Sequence, residues 1–303
     1  MPIVASSFYR FHSVADVPGL RDRLWVALRE LAVKGSVLIA PEGINGTIAG
    51  PTDNVDSAMA EICLIAGIPY LEHKLSPARE MPFKRLKVRV KKEIVTIGDV
   101  VADPTKAVGI HVEAKDWNAL ISDPDVVLID TRNSYECSIG TFKGAIDPHT
   151  ERFGEFPEYV RTQLKADKSK KIAMFCTGGI RCEKASSFMK GEGYENVYHL
   201  KGGILKYLEL VPREESLWDG ACFVFDERVA VVHGLEISDF SICHGCLLPV
   251  SAQQRTAANY EDGVCCPVCA DRQSEVQKES NRERQRQFVL AQKRGTKHLG
   301  PKD

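Results

Sequence analysis

The chain has 303 residues, 44% hydrophobic and 27% charged, with 40 Lys and Arg against 41 Asp and Glu for a net charge of -1. That length gives room for two domains and a small third module. Near-neutral charge excludes nucleic-acid binding driven by the whole molecule, so any such binding needs a local patch. No run of about 18 apolar residues is present, and MPIVASSFYR has no apolar stretch behind a basic head; the expectation is a cytoplasmic protein that does not cross a membrane.

Residues 1–95 read as a small α+β unit. Ile3–Ala5 and Phe8–Phe11 suggest an opening strand, and Asp16 to Leu31 carries Leu20, Leu24, Ala27, Leu28 and Leu31 at helical spacing. Val37–Ala40 and Gly46–Ala49 flank a turn-rich segment, as in a hairpin. A second helix fits Asn54 to Ala66, and Phe83 to Val90 makes a last strand. The order βαββαβ is that of a ferredoxin-like sandwich.

Residues 96–114, with Gly98, Pro104 and Gly109, read as a linker. From 115 to 217 the pattern is α/β: Val126–Ile129 and Ile172–Phe175 are apolar runs without alternation, as in strands buried on both faces of a parallel sheet. A helix is expected at Glu183–Lys190 and another strand at Asn196–Leu200. Residues 218–275 form a cysteine-rich module, and 276–303 a basic, flexible tail too poor in apolar residues to form a core. The fold class is thus multidomain α/β and α+β.

The most informative segment is Phe175-Cys176-Thr177-Gly178-Gly179-Ile180-Arg181-Cys182. A strand ends at Cys176, two glycines turn the chain, and a helix starts near Arg181. Such a loop points successive N–H groups inward, so Thr177, Gly178, Gly179 and Ile180 form an anion-binding nest at a helix N-terminus. With the charge of Arg181, the nest favours thiolate over thiol at Cys176. Asp130 and Arg132 end the strand before, where they either contact a ligand or tie the loop down by a salt bridge. Cys182 either packs or resolves a persulfide on Cys176; structural packing is the default for Cys137.

Cys243-x2-Cys246 and Cys266-x2-Cys269 are two knuckles separated by 19 residues, a spacing close to that of zinc ribbons, and four thiolates form a closed structural site. Cys265 is the spare thiol, or replaces Cys266. In Lys84–Lys92, period two places Arg85, Lys87, Arg89 and Lys91 on one face, either as a polyanion contact or as a solvated sheet edge. The tail from Lys278 carries eight Lys/Arg and three Asp/Glu, which fits an RNA partner.

Leu128–Arg132, Gly140–Ile146, the Cys176–Arg181 loop, Gly193–Tyr198 and Leu200–Ile204 together resemble a rhodanese domain. That resemblance implies that Cys176 carries a persulfide. The six-residue loop has the length associated with sulfur chemistry rather than phosphatase chemistry. With Gly43–Thr47, Cys176–Ala185 and Phe223–Ala230, the whole chain resembles the bacterial rhodanese-like tRNA uridine hydroxylases. This second resemblance implies O2-dependent conversion of the tRNA wobble uridine to 5-hydroxyuridine, with Cys176 essential. The alternative is a sulfurtransferase acting on a small-molecule or protein thiol. O2 chemistry ordinarily calls for iron, a flavin or another electron carrier. No dinucleotide fingerprint is present and the electron donor is unassigned. His111 and Glu113 could supply two ligands of an iron triad with His149, His199 or His233.

Overall fold

A computed structural model describes residues 2–78, 80–164 and 166–295. The chain divides into two compact units: residues through Cys222 together with Val232–Glu236, and Phe223–Val231 together with the chain from Ile237 onward.

The first unit opens with β1 (Ile3–Phe11), α1 (Val17–Glu30), β2 (Lys34–Ala40), β3 (Gly43–Pro51), α2 (Thr52–Ala66), β4 (His73–Ala78) and β5 (Leu86–Val90). Their sheet order is β4-β1-β3-β2-β5, with β5 parallel to β2 and the other neighbours antiparallel. The first four strands form the expected ferredoxin-like arrangement. Its fourth strand, however, is His73–Ala78, and the segment expected to close the sandwich is an added fifth strand. The sequence HKLSPA hides β4 because Pro77 and its polar residues fit only an edge. Asp16 caps α1 by accepting from the Gly19 N–H at 2.9 Å, and Val17, Leu20, Leu24 and Leu28 turn one stripe inward. They pack with Val55, Ala58 and Ile62 of α2 against Phe8, Val37, Ile39, Ile44, Ile48 and Val88 of the sheet.

That core covers one face of the sheet. The other face is polar, and cross-strand register aligns it in rows. Lys74, Ser7, Thr47, Ser36 and Lys87 are successive partners across all five strands. The Ser7 and Thr47 hydroxyls are 2.9 Å apart. At ~4.8 Å per strand the row spans about 19 Å.

The rhodanese-like part follows: β6 (Ile110–Val112), α3 (Ala114–Ile121), β7 (Val126–Asp130), α4 (Ser134–Cys137), β8 (Gly140–Phe142), α5 (Phe156–Thr162), β9 (Lys171–Phe175), α6 (Ile180–Gly191), β10 (Asn196–Leu200) and α7 (Gly203–Leu210). Four strands form a parallel sheet in the order β6-β10-β9-β7. Phe142 centres an aromatic cluster, edge-on to Phe175, Tyr207 and Trp218 at 4.7–5.1 Å. The segment read as a linker is largely part of this domain. Its residues 110–112 are an edge strand too short for its periodicity to show, and Ile97 and Ala102 are buried in the domain core.

The N-terminal and rhodanese-like parts are locked together by Lys184. Its ammonium is 2% exposed and lies 2.7 Å from Glu42 and 2.5 Å from Glu93. In the second unit, residues Glu275–Lys293, expected as a tail, form a helix capped by Ser274. A helix with so few apolar residues is held by polar contacts: Arg282 pairs with Glu261 at 2.7 Å and Arg284 donates to the His244 carbonyl at 2.6 Å. The sequence after residue 295 lies outside the described residues.

Against its burial, Lys184 and the Ile97 and Gly98 N–H groups hold the Glu93 carboxyl below the ordinary carboxylate range. A lowered carboxyl pKa contributes stability above the unfolded value, about 4.3, that is lost as pH falls through the folded one. Lys184→Met should therefore cost about 2 kcal/mol at pH 7, a fall in Tm of roughly 5 °C, with the difference from wild type shrinking in acid. Thermal melts at pH 7 and in acid check this; equal Tm values at pH 7 would remove the interlock from the account.

Candidate active site

Cys176 stands immediately after β9, at the carboxyl end of the parallel sheet, where α/β folds place ligand contacts. The loop back to α6 turns at Gly179, whose φ of +100° is a left-handed conformation open to glycine. Its N–H points at the Cys176 sulfur, with N to Sγ 3.1 Å. The start of α7 clamps the loop from the other side: Ile204 N–H donates to the Cys176 carbonyl at 2.9 Å and Leu205 N–H to that of Thr177 at 3.1 Å. This approach requires Gly203, since a Cβ there would lie 2.5 Å from the Cys176 carbonyl and 2.7 Å from the Gly179 nitrogen.

Four buried charges surround the loop. Asp130 and Arg132 pair with each other at 2.6 Å, both fully buried. Arg132 also donates to the carbonyls of Gly140 at 2.6 Å and Glu136 at 3.2 Å, and its guanidinium lies 5.1 Å from the Trp218 ring centroid. Of the two arrangements open to this pair, the salt bridge is the one formed. Arg181 makes a two-pronged contact with fully buried Glu136, at 2.6 and 2.8 Å. Thr177 Oγ1 lies 3.3 Å from the same carboxylate. Ile180 is half-buried at the first turn of α6.

Burial pushes the Cys176 thiol up, but the Cys182 thiol, the Arg181 charge and the Cys182 and Gly179 N–H groups outweigh it and bring it down to about 6. Cys182 is driven the opposite way, by burial and by the Cys176 anion, so it stays protonated and donates. It also lies 3.6 Å from Thr131 Oγ1. Adjacent helix positions thus put both the Arg181 charge and the Cys182 thiol within electrostatic reach of the same sulfur. Cys137 is pushed well up by its burial, as packing requires.

The polar sheet face of the N-terminal part meets this loop. Lys74 donates to the Gly178 carbonyl at 2.6 Å, and Tyr9 OH donates to Glu183 at 3.2 Å. A cleft of about 260 Å³ opens there, lined by Tyr9, Lys74, His111, Glu183, Lys201 and Gly202 among others. His111 Nε2 is 2.9 Å from Glu183 Oε1, and the His111 and His199 rings are 4.2 Å apart. Glu113 is drawn away to Lys201 at 2.6 Å, so the His111–Glu113 pair does not act as a unit. Arg85, Lys87, Arg89 and Lys91 lie at or beside edge strand β5; Arg85, Arg89 and Lys91 are exposed and Lys87 is half-buried. Burial and its like-charged neighbours Arg85 and Arg89 lower the Lys87 pKa.

In the second unit, Cys243, Cys246, Cys266 and Cys269 converge. The sulfurs of Cys243 and Cys269 are 3.8 Å apart, those of Cys246 and Cys266 3.7 Å, and those of Cys266 and Cys269 3.8 Å. Four sulfurs each ~2.3 Å from a central zinc stand about 3.8 Å apart, so the donor set fits a tetrahedral ion. Cys265 points elsewhere, 3.6 Å from the Asn259 carbonyl.

Residues 3–94 match the UPF0176 acylphosphatase like domain, and residues 113–210 match the Rhodanese-like domain. The tRNA uridine(34) hydroxylase of Agrobacterium fabrum is 52% identical over 297 residues, 98% of this chain and 95% of that protein. The protein of the same name from Gluconobacter oxydans is 52% identical over 303 residues, 99% and 97% of the two chains. The chain belongs to the tRNA uridine(34) hydroxylase family. Among solved structures it is similar to a rhodanese-like domain from Anabaena sp., at 19% identity, covering 36% of this chain and 78% of that one with a TM-score of 0.30.

For a member of this family, three residues at the site were not found by sequence reasoning. Glu136 was signalled by its capping box with Asn133, an N-x-x-E pattern directly after Arg132. Tyr9 and Lys74 carried no local signal, since only the packing of two distant segments brings them to the loop.

Thiolate absorbance of wild type minus Cys176→Ser should rise with pH through a midpoint near 6. Cys182→Ala removes a donor to the anion and should move that midpoint upward. A midpoint above 8 in the wild type would contradict the assignment of Cys176 as the stabilised anion.

Proposed function

We propose that this chain hydroxylates uridine 34 of tRNA to 5-hydroxyuridine, with Cys176 as the reactive thiolate and O2 as co-substrate: one oxygen atom becomes the C5 hydroxyl and the other leaves as water, with two electrons and two protons from an external reductant. The observation that carries the reading is the geometry of Cys176, whose sulfur accepts from the Gly179 N–H at 3.1 Å at the carboxyl end of the parallel sheet, beside a cleft between two domains. Near-full-length identity to tRNA uridine(34) hydroxylases supports the substrate and the reaction.

Each part of the site has a role under this reading. The Gly179 amide, the Cys182 thiol and Arg181 keep the sulfur anionic; Glu136 orients Arg181, and Asp130 with Arg132 fixes the floor of the loop. Cys176 has no exposed surface. A persulfide, formed when the thiolate attacks the sulfane sulfur of thiosulfate and sulfite leaves, places the reactive atom about 2 Å beyond the Cys176 sulfur. Arg85, Lys87, Arg89 and Lys91 hold tRNA phosphates, and the polar face between that edge and Lys74 leads from the bound backbone to the cleft. Cys243, Cys246, Cys266 and Cys269 hold a structural zinc, which closes a segment with little core of its own and has no open position for chemistry. No helix among the described residues is long and apolar enough to cross a membrane.

Sulfur transfer is the second reading, favoured by the six-residue Cys176–Arg181 loop. Nucleoside mass spectrometry of tRNA from a deletion strain separates the two. Wild type should restore 5-hydroxyuridine derivatives and Cys176→Ala should not. A variant with Arg85, Lys87, Arg89 and Lys91 changed to Glu should bind tRNA at least tenfold more weakly, with a shallower salt dependence. If the modification never depends on the gene, the hydroxylase reading falls and thiosulfate–cyanide sulfur transfer becomes the activity to assay.

A further inference from the structure

We propose that His111, Glu183 and His199 form a binding site for one divalent first-row metal ion of the ferrous class, with its open positions facing the cleft. A ligand atom from each residue lies within 4.8 Å of the others. One of these separations already suits coordination. His111 Nε2 and Glu183 Oε1 are 2.9 Å apart, and cis ligands ~2.1 Å from an octahedral ion stand about 3.0 Å apart.

The scaffold explains the convergence. His111 on β6 and His199 on β10 are direct partners in parallel register, so their side chains leave the same face of the sheet. Glu183 comes from the first turn of α6. Tyr9 OH donates to its ligating oxygen at 3.2 Å, the outer partner that metal-bound carboxylates ordinarily have.

The independent sign of a ligand is His199. Its ring is 1% exposed, yet neither nitrogen makes a well-formed hydrogen bond, and the nearest candidate is the Gly109 backbone. A buried imidazole with both nitrogens idle is costly, whereas a neutral imidazole aimed at a metal is satisfied. Two neutral imidazoles and one carboxylate on one face are the donor set of non-haem ferrous sites, which leave the opposite positions free for small ligands. Glu113 and Lys201 neutralise each other and do not compete for the ion.

The metal site stands on these three residues and not on the hydroxylase reading. Full-length protein, its cysteine cluster saturated with zinc, is titrated anaerobically with Fe2+ and then exposed to nitric oxide. One further equivalent of iron should bind and give the high-spin ferrous–nitrosyl EPR signal. His111→Gln, a half-exposed position that tolerates replacement, and Glu183→Gln should each weaken binding more than 100-fold, and Tyr9→Phe by about 10–100-fold. Iron uptake confined to the cysteine cluster, or His111→Gln and Glu183→Gln that bind like wild type, overturns the site. These readouts need no tRNA. A nitrosyl signal in a protein that never modifies tRNA would sink the hydroxylase reading alone.

Discussion

An anion buried away from water must be stabilised by fixed dipoles and charges, and most of the first unit is arranged around one such anion at Cys176. Cys222 shows what happens without that arrangement. It is equally buried, and the Arg132 charge is only a secondary influence there, so burial pushes its thiol up to about 12. Cys176 differs in facing loop amides and a protonated neighbouring thiol. Each of those donors is fixed by something further out: Gly179 by its left-handed turn, Arg181 by Glu136, and the loop itself by the start of α7.

The second constraint is where the N-terminal domain sits. A ferredoxin-like sheet buries one face under its helices and leaves the other open. Here the open face is polar and turned toward the Cys176 loop, with Lys74 on the Gly178 carbonyl and Tyr9 on Glu183. Lys74 also places a cation from outside the rhodanese-like domain within electrostatic reach of Cys176; burial lowers its pKa while the Cys176 anion opposes that shift. The cleft therefore belongs to neither domain alone. Lys184, which reaches from α6 across that junction to Glu42 and Glu93 of the N-terminal part, is part of the site's architecture even though it touches no reacting group.

Much of this was legible in the sequence. Strand, glycine turn and helix are encoded within eight consecutive residues around Cys176, and local signals of that kind survive folding unchanged. The four converging sulfurs of Cys243, Cys246, Cys266 and Cys269 were equally readable, because knuckle spacing fixes their convergence. Three things were hidden for physical reasons. β4 looks unlike a strand because an edge accepts Pro77, β6 is three residues long, and the Glu275–Lys293 helix is stabilised by ion pairs rather than an apolar stripe. The His111–Glu183–His199 cluster was visible only in part, since its carboxylate comes not from the neighbouring Glu113 but from α6, 72 residues further along.

The central claim of the proposed function is that the base to be modified enters the cleft lined by Tyr9, Lys74, His111 and Glu183, next to the Cys176 loop. Photocrosslinking tests it most directly, with tRNA carrying 4-thiouridine at position 34 bound to the full-length protein and the adducts mapped by mass spectrometry. The account predicts adducts on Tyr9, His111 or the 176–181 loop, lost when excess unmodified tRNA competes. Adducts confined to the second unit, with none on the cleft residues, would contradict it.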